Sequence, residues 1–212
     1  MEQTDAPEQA YGQEEYFIWS TNQAQHKNHL MAVRALSAYY NAGGKLKCYM
    51  TGVDTELFNP ASEVTACEYV IKVRKLIEEE SLTDHIRFCG NMSKDKYVEV
   101  LKRAKFFMHP GLMDNGNGTA VDAASVGVPT ISSNYPQMKF LDDYMHLNMR
   151  FFDPYDVNSL KDALLKTEQD YNEMKAKLPS REELRKYTIS CTYPQIFAAV
   201  EEAFKLNRRP AK

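Results

Sequence analysis

Cysteine is scarce in this chain and badly placed for chemistry. Cys48, Cys67, Cys89 and Cys191 lie far apart with no C-x-x-C pair, which excludes a zinc knuckle and a thioredoxin-like redox motif. Cys48 and Cys89 fall inside strand-like runs, where a free thiol behaves as a small buried apolar group. Positive charge is not in excess either: 26 Lys and Arg stand against 29 Asp and Glu, a net charge of −3. A nucleic-acid-binding domain normally carries a clustered positive surplus, so no nucleic-acid partner is expected. No apolar run approaches the roughly 18 residues of a membrane span, so no transmembrane segment is expected. The start, MEQTDAPEQAYGQEE, is acidic and polar, the opposite of a signal peptide. These absences predict a reduced, cytoplasmic chain, at most peripheral at the cytoplasmic face of the membrane.

What is present reads as one ordinary globular domain. The 212 residues are 43% apolar and 26% charged, within the usual range. Residues 1–15 read as a linker or disordered start, and 16–212 as a single domain with C-terminal helices from about 173. Tyr16-Phe17-Ile18-Trp19 is an aromatic and β-branched run that predicts a buried strand. Leu30, Val33, Leu36 and Tyr40 then recur at helical spacing until Gly43-Gly44. The rhythm continues with a strand at Leu46–Thr51, a helix marked by Tyr69, Val73, Leu76 and Glu80, and a strand at Ile86–Cys89 ended by Gly90. Ser93 reads as the N-cap of a helix carrying Tyr97, Val100, Leu101 and Ala104.

The second half predicts strands at Phe106–Met108, Val128–Ser132 and Met149–Phe152, and helices over 119–126 and Val157–Tyr171. The remainder reads as helical, broken at Pro194. Strands alternating with helices imply βαβ units. The fold expected is α/β, a Rossmann-like doubly wound, mainly parallel sheet of about six strands with helices on both faces.

Ligands of such sheets bind beyond the carboxyl ends of the strands. The richest turn there is Met113-Asp114-Asn115-Gly116-Asn117-Gly118-Thr119-Ala120-Val121-Asp122. Two Asn-Gly pairs allow unusual backbone angles and close approach to a ligand. The helix that follows directs its free N–H groups and positive dipole end at the loop, and a diphosphate is the natural guest. The two carboxylates would accept hydrogen bonds from hydroxyls on either side of that anion. Thr119 through Asp122 also reads as a capping box with Asp for the usual Glu. A calcium loop fails, because the ligand alternation breaks at Gly116 and Gly118 and the twelfth position is Ser125. Gly43-Gly44-Lys45 is not a P-loop, since no Ser or Thr follows.

The turn after the first strand, Ser20 to His29, is the second candidate. Lys27 could pair with a diphosphate over the same sheet edge, or be a solvated lysine in a first helical turn. His26, His29, His85, His109 and His146 show no metal-ligand spacing. His109, between a strand and Pro110, reads as packed or hydrogen-bonded. No Ser-His-Asp arrangement is evident.

In this order the residues resemble the C-terminal, donor-binding half of the retaining family 4 glycosyltransferases, which have the GT-B fold. That family carries two glutamates separated by seven residues, the second on the helix after a glycine-rich loop. Asp114 and Asp122 stand at those positions with the same spacing. Phe106-Phe107-Met108-His109-Pro110 before them, and Ala123-Ala124-Ser125-Val126-Gly127-Val128-Pro129-Thr130-Ile131-Ser132-Ser133 after them, are similar to the family's strand, helix exit and next strand. Phe152-Asp153-Pro154-Tyr155-Asp156, with Leu160 and Leu164, resembles its closing strand-turn-helix. There are departures. Both acids are Asp, Asn115 and Asn117 stand where the family usually has glycine, and Asn22 replaces an arginine that accompanies the lysine matched by Lys27.

The resemblance implies one half of a GT-B enzyme whose N-terminal acceptor-binding domain is missing from this chain. The chain would be an excised domain or one partner of a split enzyme, inactive in transfer alone. The substrate implied is a nucleotide diphosphate sugar, with a lean toward GDP-mannose, and the acceptor a glycan or other molecule. Asp122 would bind the ribose and Asp114 the donor sugar. Lys27, Asn22, Asn117, Gly118 and Thr119 would bind the diphosphate, on a loop shaped by Asn115 and Gly116. No nucleophile or base is nominated in this half, and no cofactor or metal is required. The alternative is a non-catalytic nucleotide-binding or interaction module on the same fold.

Overall fold

Six short apolar runs pair into one parallel sheet in the computed structural model, which describes residues 14–114, 118–187 and 189–207. The chain divides into two units, Met1–Leu178 and Pro179–Lys212. In the first, β1 (Tyr16–Ser20) leads to α1 (His29–Asn41), β2 (Lys47–Thr51) to α2 (Glu68–Glu79), and β3 (Ile86–Gly90) to α3 (Lys94–Arg103). Then β4 (Phe107–His109) leads to α4 (Gly118–Ser125), β5 (Thr130–Ser133) to α5 (Pro136–Met145), and β6 (Arg150–Phe152) to α6 (Val157–Ala176). The strand order is β3-β2-β1-β4-β5-β6, and every ladder is parallel. This is the Rossmann-like α/β fold expected, with helices on both faces. The order reverses between β1 and β4. Most of the expected linker, residues 1–13, lies outside the described residues.

β1 pairs with β2 on one edge and β4 on the other, while α1, α2 and α6 pack on one of its faces and α3 on the other. That explains why Tyr16, Phe17, Ile18 and Trp19 are all buried rather than alternating with polar residues. The pleat still sorts them. Phe17 and Trp19 join the core with α1, α2 and α6 residues such as Leu36, Val73 and Leu164. Phe17 stacks on Phe106 with ring centroids 4.8 Å apart. Tyr16 points to the opposite face, stacking on Tyr49 at 3.9 Å and donating its hydroxyl to the Val100 carbonyl of α3 at 2.7 Å.

Several boundaries differ from the sequence reading. β4 is Phe107–His109 rather than Phe106–Met108, because Phe106 only lends its carbonyl to Ile18 while the ladder to β5 starts at Phe107. β5 begins at Thr130 because Pro129 has no N–H to contribute, although its carbonyl accepts from Phe107. α5 was not expected. Only Met138 of that helix is buried, so it has little apolar periodicity, and Pro136 at its first turn is the one start signal. α6 runs to Ala176, beyond Tyr171, through a kink at Asp170 whose carboxylate takes two hydrogen bonds from Arg150 at 2.9 and 2.8 Å.

In the second unit, α7 (Arg181–Arg185) opens with a capping box between Ser180 and Glu183. α8 (Ile189–Asn207) contains Pro194 within it, so the expected break there does not occur. The proline forgoes one backbone bond and crowds a carbonyl, at about 3 kcal/mol. The helix-favouring run from Phe197 to Ala203 carries the helix on.

Two histidines are enclosed in the first unit. His29 at the start of α1 holds Thr21 Oγ1 at 2.9 Å through Nε2 and the Tyr69 hydroxyl at 3.1 Å through Nδ1. Burial lowers its pKa to about 3. His109, at the end of β4, contacts the Tyr135 hydroxyl at 2.9 Å through Nε2, and burial with the nearby Lys27 charge lowers its pKa to about 4. Neither is a free metal ligand, and the packed reading of His109 holds.

Two predictions follow from this packing. Gly52, after β2, has φ +129°, and a Cβ there would sit 1.9 Å from the Thr21 carbonyl oxygen. Gly52→Ala should therefore cost more than about 1 kcal/mol, seen as a lower urea midpoint; an unchanged midpoint would mean the two strand exits do not press together. The second concerns acid. Above pH 6.5 both histidines are neutral in either state; below it the unfolded chain takes up protons that the native state refuses. Stability is thus complete near pH 7 and falls as pH drops toward 4, by about 2 kcal/mol per histidine at pH 5. Urea titrations at both pH values should show the fall, and His109→Gln should remove about half of it.

Candidate functional site

Above the C-terminal ends of β1 and β4, two loops leave the sheet where its winding reverses, the place where open α/β sheets form their ligand crevice. The β1 exit starts at Ser20 and Thr21, whose N–H donates to the Thr51 carbonyl at 2.8 Å. The Asn22 side-chain oxygen accepts from the Ala24 N–H at 3.0 Å. Asn22 therefore shapes its own turn with the oxygen, leaving its amide nitrogen as the group that could face an anion. Gln25–Lys27 form one 3-10 turn, and Asn28, in the left-handed region at φ 63°, starts α1. Asn28 Nδ2 reaches the Pro154 carbonyl at 2.8 Å, tying this turn to the one after β6.

The β4 exit meets the β1 exit through the main chain. The Leu112 N–H donates to the His26 carbonyl at 2.7 Å, and Lys27 Nζ contacts Asp114 Oδ2 at 2.6 Å. The Lys27 side chain is only 16% exposed and that of Asp114 29%. The solvated reading of Lys27 is thereby overturned: the residue sits before α1 rather than in it, and its ammonium is paired. Beneath the pair lies His109 with Tyr135, whose hydroxyl is held in its neutral form by burial and by the Asp114 charge.

Asn115, Gly116 and Asn117, expected to shape the loop and bind the diphosphate, lie outside the described residues. α4 begins at Gly118, around whose Cβ position there is open space for 4 Å. Thr119, expected to open a capping box, lies within α4 as its second residue.

Asp122 sits in the second turn of α4, half-buried, with no hydrogen bond to its carboxylate among the described residues. Burial raises its pKa, and Lys94 at the start of α3 opposes the rise. Across from it Tyr97 of α3 accepts a hydrogen bond from Ser20 Oγ at 3.1 Å. Burial raises the Tyr97 pKa to about 12, with Ser20 lowering it and the Asp122 charge adding to the rise. Sequence reading placed Ser20 only as the start of the second candidate turn and Tyr97 only on a helix face, and missed Lys94 and Tyr135 altogether. Their one visible signal was position, at the carboxyl ends of strands or the first turns after them.

The structure thus brings Lys27, Asn22, Asp114 and the start of α4 to the same sheet edge, with Asp122 one turn further along α4. A carboxylate–lysine pair, a helix N-terminus and a partly desolvated acceptor suit a ligand that carries both anionic and hydroxyl groups. Among the described residues no cluster of three or more His, Cys, Asp or Glu could hold a metal. No helix among them is long and apolar enough to cross a membrane.

Comparison with known proteins agrees with this architecture. A family model described as glycosyl transferases group 1 matches residues 1–189. No curated protein matches the chain. Among solved structures, sucrose-phosphate synthase from Thermosynechococcus elongatus is 18% identical with a TM-score of 0.62, over 87% of this chain and 46% of that one. A UDP-forming α,α-trehalose-phosphate synthase from Burkholderia xenovorans, in complex with glucose-6-phosphate, is 13% identical with a TM-score of 0.67, over 89% and 44%. The pneumococcal O-GlcNAc transferase GtfA, in complex with UDP and GlcNAc, is 17% identical with a TM-score of 0.60, over 89% and 36%. The chain spans less than half the length of each of these structures, and at such identities the likeness is one of fold. With residues 1–189 of its 212 matched by the family model, this chain belongs to the group 1 glycosyl transferases.

Proposed function

We propose that this chain is the donor-binding half of a retaining, family 4 type glycosyltransferase that moves a sugar from a nucleotide diphosphate sugar to a glycan or other acceptor. The observation that carries the reading is the meeting of Lys27, Asp114 and the start of α4 at the β1–β4 reversal. The diphosphate lies at the α4 N-terminus, within reach of Lys27 and the Asn22 amide. Asp122 accepts from the ribose hydroxyls and Asp114 from hydroxyls of the transferred sugar. When the bond from the sugar to the diphosphate breaks, negative charge grows on the leaving phosphate. Fixed N–H dipoles and an ammonium placed beforehand stabilise that charge without reorganising. The acceptor site belongs to an N-terminal domain outside this chain, and the chain alone transfers no sugar.

The charge pattern supports an anionic group such as a diphosphate, the family supports a nucleotide sugar as its carrier, and neither names the base. GDP-mannose is the donor toward which the sequence resemblance leans, and UDP is the nucleotide named for two of the solved structures above. Calorimetry with GDP and UDP separates them, and no heat with either at protein concentrations near 1 mM sinks the reading. Charge compensation by Lys27 and α4 needs no metal, so nucleotide affinity should persist in EDTA. A second reading, a nucleotide-binding module without transfer, is favoured by the shortened acids Asp114 and Asp122. A transfer assay on the complete gene product decides between the two.

The sharpest test concerns Asp122. A charge-assisted hydrogen bond is worth about 1.5–3 kcal/mol, or roughly 10- to 150-fold in affinity. Ribo- and 2′,3′-dideoxy-nucleoside diphosphates should therefore differ strongly on the wild type and hardly at all on Asp122→Ala. The coupling expected in this cycle is at least about 1 kcal/mol, above the error of additivity. Equal discrimination by both proteins would remove Asp122 from the site. Lys27→Ala should weaken a nucleoside diphosphate by about tenfold or more while leaving the nucleoside nearly unaffected.

A further inference from the structure

The ion pair between Lys27 and Asp114 gives the site an internal occupant. Lys27 Nζ and Asp114 Oδ2 are 2.6 Å apart, and both side chains are partly buried rather than fully solvated. Yet the two groups face different parts of the donor under the reading above, on which this inference rests. An ammonium is the partner a diphosphate requires, and a carboxylate can only accept, so it requires hydroxyl or N–H donors. While they hold each other, neither is available in full.

The main chain restricts how they can part. The Leu112 N–H to His26 carbonyl bond, at 2.7 Å, joins the two loops directly beside the pair. Asn28 is anchored in turn to Pro154. The loops therefore stay together, and exchange of partners falls to the side chains. A diphosphate at the α4 N-terminus would arrive next to the Asp114 carboxylate, where two like charges repel unless the ammonium turns toward the phosphate.

We infer that the Lys27–Asp114 pair is a placeholder that couples the two halves of donor recognition: the diphosphate takes Lys27 from Asp114, and the carboxylate oxygen that Lys27 had occupied then accepts from hydroxyls of the sugar. Sugar selection by Asp114 is in this way conditional on a diphosphate being bound. Asp114 is a specificity-determining residue with an opposite effect on the nucleotide alone, which it opposes by competing for Lys27.

The test is a cycle on the full chain, with GDP and UDP as probes and calorimetry as the readout. Asp114→Asn is close to isosteric and frees Lys27. It should bind the nucleoside diphosphate at least about threefold more tightly than wild type, a difference outside the error of additivity. In a Lys27→Ala background the same Asp114→Asn change should have less than about a twofold effect. With the matching nucleotide sugar, Asp114→Asn should lose whatever affinity the sugar adds to the nucleoside diphosphate in the wild type. Unchanged or weaker nucleotide binding by Asp114→Asn overturns the placeholder. So does a tightening that persists without Lys27, since that would be simple relief of repulsion by Asp114. Absence of nucleotide binding by every variant overturns the donor-site reading and this inference with it, and is told apart by the silent wild type.

Discussion

The reversal of winding between β1 and β4 is the constraint on which the site depends. A right-handed crossover sends the helices after β1 and β4 to opposite faces of the sheet. The two neighbouring strands then send their exits apart at this point of the sheet. The backbone groups there must find other partners, and the exits supply them: Thr21 donates to Thr51 and Leu112 to His26. The crevice is thus a by-product of strand order, while its rigidity comes from hydrogen bonds between loops far apart in sequence.

That rigidity has a source deeper in the fold. β1 is buried on both faces, and Trp19, His29 and Phe58 pack together beneath the turn that carries Lys27, with ring centroids 5.4 and 4.6 Å from His29. His29 spends both ring nitrogens on Thr21 and Tyr69. A neutral imidazole inside an apolar core is an inexpensive way to hold a strand exit against a helix start, provided the pH keeps it neutral. On the other side His109 and Tyr135 do the same for the β4 exit. The charged groups therefore rest on a neutral, hydrogen-bonded floor, where a single net charge is felt strongly.

The uneven legibility of the sequence has a physical reason. Runs such as Tyr16–Trp19 and the spacing of Leu30, Val33 and Leu36 announce themselves because burial selects apolar side chains at the period of the element. α5 escaped because it buries one residue, Met138, and leaves Phe140 and Tyr144 exposed and stacked on each other at 5.6 Å. Pro194 misled because a local rule about proline competes with the cooperativity of a long helix, and here the helix prevails. Tyr97 looked like one more apolar-face residue, since nothing local says that its hydroxyl meets Ser20 from 77 positions away.

By itself, the sequence determined the α/β class, the rough order of the elements and that Lys27, Asp114 and Asp122 fall in the turns, or the first helix, that follow strands. These follow from periodicity and from residue types that tolerate a ligand-facing turn, both local properties. Only the tertiary structure decided that Lys27 and Asp114 face each other at 2.6 Å, that Asn22 turns its oxygen inward, and that Tyr97 and Lys94 stand near Asp122. Those facts depend on strand order and loop docking. Pairing β1 with β4 closes 87 residues of chain between Lys27 and Asp114, and no local pattern encodes which distant carboxylate a lysine will meet.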